Sequence, residues 1–162
     1  MKLKIIFILF CVFSLGKAYG ADLGLSFDRS VFYAILKGGT IEEIDTELAV
    51  VNASSIDEKE AYEGTLLMKK AGLTGKSGKK LKLFKQGRIK LETAIAKDSS
   101  NVEYHFLRLI IQEHAPKIAK YRKEVGVDSQ MVIKSYKDLS PAVRKAVKDY
   151  SKSSKILHPE DF

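Results

Sequence analysis

Asn101-Val-Glu-Tyr-His-Phe-Leu-Arg-Leu-Ile-Ile-Gln-Glu-His114 is the stretch that decides the fold. Asn101 is a strong helix cap, and Ala115-Pro116 is a strong stop, because a proline restrains the residue before it from the helical region. Between them Val102, Phe106, Leu107, Leu109, Ile110 and Ile111 leave no broad polar face. A helix that is apolar round most of its circumference is buried on several sides, so Val102 to His114 is expected at the centre of a helical protein. His105, Arg108 and Gln112 form its one polar edge. Such an edge either lines a groove or is a satisfied polar seam between helices. If it is a groove, Tyr104, His105, Arg108 and Gln112 are the residues on which a partner would dock.

Helical punctuation continues on both sides. Upstream, Ser26 or Ser30 can cap a helix carrying Phe27, Val31, Ala34 and Ile35, which Gly38-Gly39 ends. Thr40-Ile-Glu-Glu43 reads as a capping box, with the hydroxyl and the Glu three residues later satisfying each other's backbone N–H groups. Ser55-Ile-Asp-Glu58 repeats the device and opens a helix reaching about Ala71. After the break Gly72-Leu-Thr-Gly-Lys-Ser-Gly78, a helix from about Lys79 to Lys97 carries Phe84, Leu91 and Ile95 on one face. Downstream, Pro116 can start a short helix to Glu124, Gly126 ends it, and Asp128 caps another to about Lys137. Ser140-Pro141 starts a last one to Tyr150, with the proline at the first helical position. No segment alternates like a strand. The expected fold is therefore all-α, a single domain at residues 21–152, with about seven helices in antiparallel hairpins and a frayed tail at 153–162.

The first twenty residues address the chain. Lys2 and Lys4 precede an apolar core from Ile5 to Leu15, and Lys17-Ala-Tyr-Gly20 places small residues where signal peptidase reads. This predicts a signal peptide over residues 1–20, cut before Ala21. The apolar run falls short of the roughly 20 residues of a membrane span, so no transmembrane segment is expected after processing. Cys11 is the only cysteine and lies within that leader. The mature chain then has no thiol chemistry and no disulfide, which favours a Gram-negative periplasm or cell envelope over an animal secreted domain.

Charge is divided along the sequence. Residues 21–63 hold ten acids and three bases, whereas residues 64–162 hold ten acids and 22 bases. Between Glu63 and Glu92 there is no acid at all. Within this basic segment and just beyond it, Lys76, Lys79, Lys82, Lys90 and Lys97 are candidates for holding an anionic lipid or glycan. The same lysines can instead face the acidic third. Nucleic acid is not expected, because stacking aromatics are not interleaved with the cations. Arg88 falls on the arc of Phe84, Leu91 and Ile95, and is expected to pair with an acid of the first three helices.

Catalytic motifs fail on spacing. Gly75-Lys76-Ser77 lacks the glycine and the preceding strand of a phosphate loop, since Lys70 stands where that glycine belongs. Ser77-Gly-Lys-Lys80 fits Ser-x-x-Lys, but Ser-Asp-Asn and Lys-Thr-Gly partner segments are absent and the chain is short for that fold. The acids cluster at helix starts, where the helix dipole favours them, instead of standing alone in apolar surroundings as a glycan-cleaving acid must. His105, His114 and His158 have no metal-binding spacing. No cofactor, metal or catalytic residue is expected.

Leu83-Phe84-Lys-Gln-Gly87, Ala94-Ile95 and Asp98-Ser-Ser-Asn101-Val-Glu-Tyr104 together resemble one tetratricopeptide unit. In that family a small residue sits at the helix crossing, and an alanine with an aliphatic residue closes the second helix. The likeness covers about 35 residues and lacks the tryptophan and the Leu-Gly pair. Phe84 to Gln112 more broadly resembles small exported helical proteins of Bacteroidota without assigned activity. These resemblances imply helical hairpins and export, and carry no catalytic residue. The function expected is non-catalytic, an envelope binding or scaffolding protein docking a protein partner on a helical groove. The alternative is an anion-binding surface at residues 69–90.

Overall fold

Thr40 Oγ1 accepts from the Glu43 N–H at 3.2 Å, and Glu43 Oε2 accepts from the Thr40 N–H at 2.7 Å. The capping box is thus formed, and it starts α2 (Ile41–Ala53). The computed structural model describes residues 26–162, so the expected signal peptide lies outside the described residues. Asp28 caps α1 (Arg29–Gly38), the residue between the two serines expected to do so. Then follow α3 (Lys59–Leu73), α4 (Ser77–Lys97), α5 (Val102–His114), α6 (Val125–Lys134) and α7 (Pro141–Ser151). Single turns of 3₁₀ helix stand at Lys117–Ala119, Tyr136–Asp138 and Pro159–Asp161. The fold is all-α, and no strand occurs among the described residues.

Asn101 Oδ1 accepts from the N–H groups of Glu103 and Tyr104, and α5 takes the central position its composition predicts. Nine of its 13 residues are buried. Phe32 of α1, Tyr62 and Leu66 of α3, Leu91 of α4 and Val147 of α7 fill the core around it. α3 and α4 run antiparallel and in close contact, since Glu60 pairs with Lys97 and Glu63 with Lys90. Two glycines, Gly64 and Gly87, meet where these helices cross.

Three local expectations are corrected. Ser55 caps nothing: Asp57 and Glu58 form a turn, α3 starts at Lys59, and the Glu58 carboxylate pairs with Arg29 instead of closing a capping box. Gly126 and Asp128 do not punctuate a helix; both lie inside α6, where Asp128 is fully buried. Pro116 starts only one 3₁₀ turn, which ends at Lys120 in the left-handed region at φ 48°.

The segment 153–162, expected to fray, is docked. Glu113 Oε2 accepts from the Tyr150 hydroxyl at 2.6 Å and the Ser154 hydroxyl at 2.7 Å, and Glu113 Oε1 accepts from the Lys155 N–H at 2.6 Å. Ser154 in turn accepts from the N–H groups of Ile156 and Leu157. This turn delivers Leu157 into the core, where it is 0% exposed.

Candidate functional site

The polar edge of α5 is a sealed seam and not a groove. His105 Nδ1 lies 2.7 Å from Asp128 Oδ1, and its Nε2 lies 3.0 Å from the Ser99 carbonyl. Arg108 grips Asp128 with two bonds, Nε to Oδ2 at 2.8 Å and a terminal nitrogen to Oδ1 at 2.7 Å. Its other terminal nitrogen reaches Glu92 at 2.9 Å, and Glu92 also accepts from the Tyr121 hydroxyl at 2.6 Å. Burial pushes the Asp128 carboxyl up, but the His105 and Arg108 hydrogen bonds overcome it and hold the group below the ordinary carboxylate range. Tyr104, His105, Arg108 and Gln112 are therefore brought together but all buried. His105 and Arg108 fasten α5 to α6 and α4, and none of the four lies open to a docking partner. Gln112 Oε1 has no hydrogen-bond partner among the described residues.

A second buried network, not foreseen from the sequence, surrounds Glu103. Its Oε1 accepts from the hydroxyls of Tyr33 at 2.8 Å and Tyr62 at 2.6 Å, and its Oε2 lies 3.4 Å from Arg29 Nε. Burial raises the Glu103 carboxyl above its usual value, opposed by the two tyrosines and Arg29. Its place in the first turn of α5 makes it read as an ordinary dipole partner, which hides this role.

The lysine stripe divides. Lys90 and Lys97 are neutralised by Glu63 and Glu60 at 2.9 and 2.6 Å, and Lys70 by Asp45. Lys76, just before α4, and Lys79 and Lys82 in its first turns are exposed, with no ion pair among the described residues. The acidic third thus meets part of the basic segment directly. Arg88 contradicts its expected ion pair: it is exposed and lies over the Tyr121 ring at 4.7 Å, a cation–π contact. The buried face of α4 is centred on Gly87, Leu91, Ala94 and Ile95, which turns Arg88 to the flank.

The open concave site lies elsewhere, between α1, α5 and α7. It encloses about 470 Å³, with walls from Tyr33, Leu36, Phe106, Ile110, Ala146 and Tyr150. That volume falls within the ~300–1,000 Å³ of small-molecule sites. Both tyrosines turn their hydroxyls to carboxylates behind the wall, Tyr33 to Glu103 and Tyr150 to Glu113, so the groove receives ring surface. Polar groups collect at its edge. Lys145 is held by Asp149 at 2.6 Å, whereas Lys37 and Lys69 pair with no carboxylate among the described residues. Lys69 Nζ reaches only the Lys37 carbonyl, at 3.4 Å, and burial lowers its pKa. The pattern of α7, with Ala142 and Ala146 at helical spacing, is the one trace of this groove in the sequence.

Among the described residues no group of three or more His, Asp or Glu side chains is arranged to hold a metal, and no helix is long and apolar enough to cross a membrane. The chain matches no model of a known protein family, no curated protein and no solved structure.

Proposed function

We propose that this protein is an exported, non-catalytic binding module of the cell envelope, and that it receives its ligand in the groove between α1, α5 and α7. One observation carries this reading: an apolar-walled groove of about 470 Å³ whose edge holds two lysines without carboxylate partners among the described residues. Asp149, the only carboxylate lining it among the described residues, is engaged by Lys145 and Lys152. A general acid needs a desolvated carboxyl facing its substrate, and Asp149 is instead held low, at about 2, by those two lysines. The docking surface thus moves from the α5 polar edge to the opposite side of the same helix, where Ile110 is partly exposed between α1 and α7 above the buried Phe106.

A photo-crosslinking side chain at Ala34, which is exposed on the groove edge, tests this against the basic surface of α4. Adducts at Ala34 that vanish when Ala146→Phe fills the groove support the reading. Adducts that form only with the probe at Lys79 or Lys82 transfer the function to the lysine stripe.

A further inference from the structure

The groove's polarity is arranged in two parts. Its walls are aliphatic and aromatic, with the two tyrosine hydroxyls already bonded to Glu103 and Glu113 on the far side. Apart from the exposed Ser30, His114 and Ser153, the lining between the lysines is apolar, so a polar ligand body buried against the walls would leave hydrogen bonds unmade. Its positive charge is confined to the edge. Lys37 and Lys69 sit side by side at the end of α1, joined by the 3.4 Å contact from Lys69 Nζ to the Lys37 carbonyl. Lys145 is already paired with Asp149, so the two cations unmatched among the described residues mark one place on the edge. Lys69 is half-buried, and an ammonium drawn partly out of water without a counter-charge is the group that gains most from an arriving anion.

From this division we propose that the occupant is a single-chain anionic amphiphile. Its acyl chain lies along Ile110, Ala146 and the Tyr150 ring, and its carboxylate or phosphate head meets Lys37 and Lys69. The proposal rests on the binding reading above and names its ligand class. A cavity of this size suits one acyl chain, and its concave shape suits a small ligand better than the broad, flatter face a protein partner buries.

The test is titration calorimetry of the purified protein with decanoate, dodecanoate, dodecanol and dodecyl phosphate, all below their micelle concentrations. Each added methylene is expected to tighten binding about fourfold until the groove is full. Dodecanol is expected to bind at least about tenfold more weakly than dodecanoate, and Lys69→Met combined with Lys37→Met to remove most of that gap. Tighter binding of the phosphate than the carboxylate would assign the head to a lipid phosphate, and the reverse to a free fatty acid; both support the proposal. Equal affinity for dodecanol and dodecanoate would overturn it while leaving an apolar binding groove. Absence of binding by all four, with adducts still forming at Ala34, would overturn the amphiphile and leave the binding module. Absence of both would overturn the two together.

Discussion

Gly64 of α3 and Gly87 of α4 face each other across a crossing that has no room for a side chain. A methyl group on Gly64 would lie 2.7 Å from both the Gly87 carbonyl oxygen and the Leu91 nitrogen. One on Gly87 would run into the Gly64 carbonyl and come within 2.8 Å of Met68 Cγ. The backbones themselves are in contact, which lets two long helices bury their flanking side chains closely. Glycine inside a helix costs about 1 kcal/mol relative to alanine, so its presence at both positions reflects this approach.

Gly87→Ala is accordingly expected to destabilise the protein by about 3 kcal/mol, since the obstacle is backbone and cannot swing aside. Gly72→Ala is the control, because a methyl there meets nothing within 4 Å and Gly72 lies within α3. It should gain about 0.5–1 kcal/mol from helix propensity alone. Urea midpoints of the two variants should move in opposite directions.

Asp128→Ala should cost about 3–5 kcal/mol, because it strands Arg108 and His105 in the interior. The sign with pH follows from a folded-state carboxyl held below its unfolded value. Its contribution is complete above the unfolded carboxylate range and disappears as pH falls through the folded value. Wild type should therefore lose more stability than Asp128→Ala between neutral pH and about pH 3, measured by denaturant titration at each pH.

Glu47 points the other way. It is 4% exposed, one carboxylate oxygen has no hydrogen-bond partner among the described residues, and burial followed by the nearby Asp28 raises its carboxyl. A raised carboxyl stabilises at low pH, and that contribution is lost as pH rises through the folded value. Glu47→Met should gain about 1 kcal/mol at neutral pH, from removal of the orphaned oxygen, and less at pH 4. Equal gains at the two pH values would show that Glu47's charge is not what costs stability.

Leu157→Ala should cost about 2–4 kcal/mol, the range for emptying a buried leucine site. A frayed tail would give no change, so a thermal melt decides between the two descriptions of residues 153–162.

What could be read along the chain is what local chemistry controls. The boxes and caps at Thr40, Asn101 and Ser140 act within three residues of themselves, and each starts its helix as expected. The centrality of α5 follows from its composition alone. Asp128 misled because a short carboxylate has the same sequence signature whether it caps a helix or crosses to another one. Its partners, His105 and Arg108, lie 23 and 20 residues away. Arg88 misled through phase: centring α4 on Phe84 places it inward, and centring on Gly87 and Ala94 places it on the flank. Leu157 was hidden in a run of serines and lysines that has the composition of a loose end. The groove draws its walls from α1, α5 and α7, and no window of sequence contains all three.

The contact between α1 and α7 around this groove also sets an order in time. The wall begun by Tyr33 is finished only by Ala146 and Tyr150, and the core beneath is closed by Leu157. A ribosome must have made α7 before the cavity can exist, however early α1 emerges. The groove is therefore a product of long-range packing and has no counterpart in any locally folded segment.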